Sequence, residues 1–133
     1  MTERDKLKQH CLSRLDECAL EHPSGHQGKL AARYLLRRSA GDVAELMFEK
    51  GPKTKANLWV AHKQVASLIS EPGLRFQSLP ASVLFSAKGK NGKPIYGRHS
   101  ALRSMRELEH GDLICFEITS DGELDRILGH LGG

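Results

Sequence analysis

The sequence predicts a small α+β domain with about three to four mostly antiparallel strands and helices packed on one side. Three stretches carry that prediction. Residues 2–21 place Leu7, Cys11, Leu12, Leu15, Cys18 and Ala19 at helical spacing, as one apolar stripe. Residues 83–96 read as strand, turn and strand about Asn91-Gly92, a pair that accepts the positive φ of a type I′ turn. Residues 112–119 alternate as a strand does, with Leu113, Cys115 and Glu117 on one face and Ile114, Phe116 and Ile118 on the other.

The length, 133 residues, fits one domain spanning 1–133. The first helix should end near His22, because Pro23 disfavours helical backbone in the residue before it. Residues 29–38 favour a helix with Leu30, Tyr34 and Leu35 on its inner side; a strand through 33–38 is the alternative. Residues 39–42 read as a turn. A helix follows, with Ala40, Val43, Ala44 and Met47 on one face, and Gly51-Pro52 stops it. Residues 56–61 have strand character, 63–70 suit a short helix, and Glu71-Pro72-Gly73 ends it. Residues 74–82 look irregular. After the hairpin, 101–108 form a short helix within a hairpin–helix segment, 83–108. In the strand–helix segment 112–131, Ser120 and Glu123 make a capping box, and Leu124, Ile127, Leu128 and Leu131 face inward.

Charge is distributed unevenly along the chain. Residues 1–71 hold 12 Lys/Arg and 9 Asp/Glu, residues 72–106 hold 7 and 0, and residues 107–133 hold 1 and 7. A basic middle and an acidic end give a polarised surface when they fold onto different faces, and such a surface suits a polyanion on one side. Lys88, Lys90 and Lys93 crowd the hairpin, so they are the expected contacts to a phosphate backbone. Arg98, His99 and Arg103 surround Ser100, a candidate helix N-cap, where backbone N–H groups attract phosphate. Lys53 and Lys55 extend the basic set. Trp59 and Tyr96 would stack on bases if exposed, although aromatic side chains in a small domain mostly fill the core.

These residues predict nucleic-acid binding, with DNA favoured over RNA, and no catalysis. The main alternative is a protein-interaction module or inhibitor docking on an acidic partner. A metal-dependent nuclease, using His99 with Asp42, Glu45 and Glu49, comes third. A helix-turn-helix across residues 43–70 fits poorly, because residues 57–60 read better as strand. Cys11, Cys18 and His22 share a helical face, but the cysteines lie two turns apart, so no metal site is expected. No cofactor motif is present either: there is no phosphate-binding glycine loop and no Gly-x-Ser-x-Gly turn. Three cysteines, an odd number, argue against a disulfide framework. The charged start lacks an apolar signal region and no run is long enough for a membrane span, so a cytoplasmic location is expected.

Overall fold

The computed structural model describes residues 2–23, 25, 31–38, 41–51, 54–80, 87–88, 94–95, 102, 105, 107–109 and 111–132, with backbone alone at 87–88 and 94–95. Helix α1 spans Glu3–Cys18. A full capping box opens it: the Thr2 hydroxyl accepts from the Asp5 N–H, and the Asp5 carboxylate accepts from the Thr2 N–H. The helix stops short of Pro23 because Leu20–Glu21 leaves it to form strand β1, paired with Leu35 and Tyr34.

Strands β2 (Ala31–Arg37) and β3 (Val43–Glu49) form a seven-residue antiparallel hairpin. Both segments were expected as helices, the first with a strand as its alternative. Ala, Leu, Glu and Met favour helix, yet their period of two decides here. Ala44, Leu46 and Phe48 lie on one face of the sheet, and Glu45, Met47 and Glu49 on the other. Of the turn expected at 39–42, Gly41 and Asp42 are described: the Gly41 N–H donates to the Arg38 carbonyl, the Arg38 N–H donates to the Asp42 carbonyl, and Gly41 has φ +96°, a conformation glycine adopts without strain. Strand β4 (Asn57–Ala61) pairs with β3, which removes the helix-turn-helix reading.

Helix α2 covers only His62–Val65 before turns take over. Residues 75–79, expected to be irregular, form strand β5 (Arg75–Leu79). Strands β6 (Ala87–Lys88) and β7 (Pro94–Ile95) pair apart from the main sheet. The expected hairpin is therefore present, but Lys88 pairs with Pro94. A two-residue Asn91-Gly92 turn would have paired Lys88 with Ile95; the turn itself lies outside the described residues. Most of the helix expected at 101–108 does too; Leu102 sits in a single 3₁₀ turn and 107–109 in turns.

Strand β8 (Leu113–Glu117) enters between β4 and β5, and helix α3 (Asp121–Leu131) ends the described chain. The α3 cap is partly as expected. The Ser120 hydroxyl accepts from the Glu123 N–H, but the Glu123 carboxylate reaches one residue further back, to Thr119. Gly132, at φ +105°, closes the helix.

The main sheet is antiparallel with six strands, in the order β1-β2-β3-β4-β8-β5. It is larger than expected because two presumed helices, now β2 and β3, joined it together with β1 and β5. Its first face packs against α1, α2 and α3: Tyr34, Leu46, Phe48, Leu58, Val60, Ile114 and Phe116 meet Cys11, Leu15, Val65, Leu124, Ile127 and Leu128. Its second face, with Met47, Trp59, Ala61 and Leu113, is covered by Leu102, Met105 and Leu108. Burial pushes the thiols of Cys11 and Cys115 up to about 12. It also raises the Tyr34 phenol, helped by the bond it donates to Asp16 at 2.8 Å.

Two outcomes follow. Phe116→Ala should cost roughly 3–5 kcal/mol, read as a lower urea midpoint with unchanged slope, and Phe76→Ala, at a position 40% exposed, should cost less. Iodoacetamide at pH 8 should spare Cys11 and Cys115 in the folded chain and label them once urea unfolds it.

Candidate functional site

No acidic residue lies between Glu71 and Glu107. Within that stretch Leu79 is the last residue of β5, and Leu102 lies near the far end. Both side chains pack in the cluster on the second face. The acidic helix α3, with Asp121, Glu123 and Asp125, packs on the first face. The acidic block is divided between the two faces: Asp121, Glu123 and Asp125 lie on α3, whereas Glu107 is bonded to Glu45 and Glu117 alternates on β8 with the second-face residues Leu113 and Cys115.

Few of the expected contact residues fall within the described part. Lys53, Lys90, Lys93, Tyr96, Arg98, His99 and Arg103 lie outside it, and Lys88 is described only as backbone in β6. Lys55 is exposed, and its ammonium lies 2.8 Å from Glu117. Trp59 is only 8% exposed and packs beside Met47 and Leu113. Its indole is part of the core, so the stacking role that depended on exposure does not hold for it.

Carboxylates from the C-terminal quarter reach several described cations. Glu117 sits between Lys55 and Arg75, whose guanidinium is 3.4 Å away, and Lys63 lies 3.5 Å from Glu107. Lys55 first, then Arg75, hold the Glu117 carboxyl below the usual carboxylate range. A lowered carboxyl pKa contributes stability above the unfolded value, and that contribution is lost as pH falls through the folded one. Such exposed pairs contribute about 1 kcal/mol or less and exchange readily with a competing anion.

A polar network that the sequence did not reveal lies at the other end of the second face. Glu45, buried on β3, bonds through both carboxylate oxygens. Oε2 lies 2.7 Å from His22 Nε2; Oε1 accepts the N–H groups of Glu107 at 2.6 Å and Leu108 at 3.2 Å. Glu107 answers by accepting the Glu45 N–H at 3.2 Å and the Gln64 amide at 3.0 Å. Arg38 donates to the far side of that amide at 2.6 Å. The network fastens the residues just after the basic run to the sheet.

Beside it opens a cleft of about 1160 Å³, lined by Leu35, Val43 and Ala61 from the sheet, Glu45 and Glu107, and His62 and Lys63. His22 and Glu45 therefore have different partners from those read in the sequence. The Cys11–Cys18–His22 grouping does not form. Cys11 is in the core, His22 faces Glu45, and no three metal-ligating side chains converge among the described residues. The Asp42, Glu45 and Glu49 set does not share a helix face, since all of it lies on or beside β3, with Glu49 accepting from Asn57. The missed signal was the alternation in residues 44–49, which places two carboxylates on a covered sheet face where each needs donors.

No family model, curated protein or solved structure matches this chain. Among the described residues, no helix is long and apolar enough to cross a membrane.

Glu45→Ala should remove roughly 3–5 kcal/mol, because it leaves two backbone N–H groups and a buried imidazole without their partner. Hydrogen exchange should accelerate at the amides of Glu107 and Leu108 before it does in β8; protection that stayed uniform would show that the latch is not local.

Proposed function

We propose that this chain binds nucleic acid, with DNA favoured, through the phosphate backbone and without chemistry of its own. One feature supports the reading: residues 72–106 hold seven Lys/Arg and no Asp/Glu, and within that run Leu79 and Leu102 pack on the sheet face opposite Asp121, Glu123 and Asp125 of α3. That arrangement favours a charge-polarised surface, the electrostatic footprint of a polyanion binder.

In this reading Lys88, Lys90 and Lys93 contact the backbone from the hairpin, and Arg98, His99 and Arg103 hold a phosphate. Tyr96 remains the stacking aromatic. Lys53 and Lys55 extend the track, with Lys55 exchanging Glu117 for phosphate. The ion pairs of Lys55, Lys63 and Arg75 reduce what those cations contribute in the free chain. The main share of binding therefore falls to the seven other Lys/Arg between 53 and 106. The site of action would be the cytoplasm.

Salt titration is the test. The double variant Lys90→Ala and Lys93→Ala should weaken binding to every duplex sequence alike and lower the slope of log K against log salt by about 2. An unchanged slope would remove the hairpin from the interface. Binding that shows no salt dependence, or that occurs only with an acidic protein, would replace this reading with the protein-docking one.

A further inference from the structure

Glu117, the last residue of β8, lies between two cations that come from either side of its strand. The ladders set it opposite Asn57 of β4 and Arg75 of β5, and Lys55 stands two residues before Asn57. Its Oε1 lies 2.8 Å from the Lys55 ammonium, and its Oε2 lies 3.4 Å from the Arg75 guanidinium. The three groups are unequally open to water. The Lys55 and Arg75 side chains are 63% and 74% exposed, whereas that of Glu117 is 26% exposed. Two long cations thus reach outward, and the carboxylate sits in the fork between them. Arg75 and Glu117 keep the register of Leu79 and Leu113, so they lie on the sheet face where those leucines and Leu102 pack. Beside Glu117 opens a cavity of about 610 Å³, which the exposed Arg4 of α1 also lines. The other acids of that lining have partners of their own: Glu3 lies 3.8 Å from Lys6, and Asp121 lies 3.5 Å from His10.

We infer that Lys55 and Arg75 form a phosphate subsite that Glu117 occupies in the free chain, and that a backbone phosphate of the bound nucleic acid displaces it. The inference rests on the proposed nucleic-acid binding; it adds Arg75 to the contacts and makes Glu117 an internal competitor. A carboxylate and a phosphodiester make the same demand on their partners. Each offers two oxygens that share one negative charge, and each accepts charge-assisted bonds from ammonium and guanidinium groups. Strands two positions apart in a sheet are separated by roughly 10 Å, so two cations from such strands converge where an anion draws them together. Exposed pairs of this kind are weak, and β8 is held by ladders on both sides, so Glu117 gives up its partners without loss of its strand. Lys55 first, then Arg75, hold its carboxyl below the usual carboxylate range, so it stays charged and competes throughout the neutral pH range. The result is a brake: the chain binds a polyanion more loosely than its cations alone would allow.

Fluorescence anisotropy of a labelled duplex of mixed sequence, titrated at several salt concentrations, tests this. Glu117→Gln keeps the size of the side chain and removes its charge. It should tighten binding about fivefold at low salt, the scale of one exposed ion pair, and steepen the slope of log K against log salt by about 1. The double variant Lys55→Ala and Arg75→Ala should weaken binding, and in that background Glu117→Gln should have no effect. Asp125→Asn, which removes a charge from α3, should change affinity by less than about twofold. Inorganic phosphate should neither bind saturably by calorimetry nor compete with the duplex at matched ionic strength, because the subsite takes a phosphate held in a polymer. Circular dichroism of each variant should match that of the parent chain. A gain from Glu117→Gln that persists without Lys55 and Arg75, or that Asp125→Asn reproduces, would show only the general effect of net charge and overturn the subsite. An unchanged affinity with Glu117→Gln, or competition by inorganic phosphate, would overturn it too; in each of these cases duplex binding itself still stands. If neither the parent chain nor any variant binds the duplex, both readings fall.

Discussion

The carboxylate of Glu45 is the tie on which the second face of the sheet depends. A sheet buried on one side only would leave Met47, Trp59, Ala61 and Leu113 in water. Leu102, Met105 and Leu108 cover them, but they come from a segment with little regular structure of its own among its described residues. Such a segment lacks a ladder to fix its backbone, so side chains must do so. Glu45 does it by accepting two consecutive N–H groups, and Glu107 returns the contact. Charge-assisted bonds of this kind are about twice as strong as neutral ones and gain further where water is excluded.

The same tie connects the fold to the electrostatics. The cover is fixed just beyond Arg106, and Leu79, at the end of β5, packs into the same cluster. The first face belongs to the helices, and there the acids of α3 find their own partners, as in the Arg14–Asp125 pair at 3.0 Å.

How much of this was legible in the sequence depended on whether local pattern and tertiary pairing agreed. Where they agreed, at α1, β8 and α3, the residues facing the core could be named in advance, down to the alternation of Leu113, Cys115 and Ile114, Phe116. Where they disagreed, pairing won. Residues 43–49 are rich in helix formers, but they sit between two strands and follow a period of two. The edge strand β5 was illegible for another reason: Arg75, Phe76, Gln77 and Ser78 are all exposed, so no apolar pattern marks them. The His22–Glu45–Glu107 network joins residues 23 and 62 positions apart. Spacing along a chain carries no signal for a contact of that kind. The charge asymmetry, by contrast, was readable directly, since it is a property of composition.

The ends of the sheet have a further consequence. A six-stranded antiparallel sheet with two apolar faces presents two borders where another chain could add a strand. At one border β1 is two residues long and is followed within two residues by Pro23; at the other, β5 starts at Arg75 and is followed directly by Pro80. Proline offers no N–H, and a charged or very short border is a poor template for recruitment. The borders of this sheet thereby resist edge-to-edge self-association.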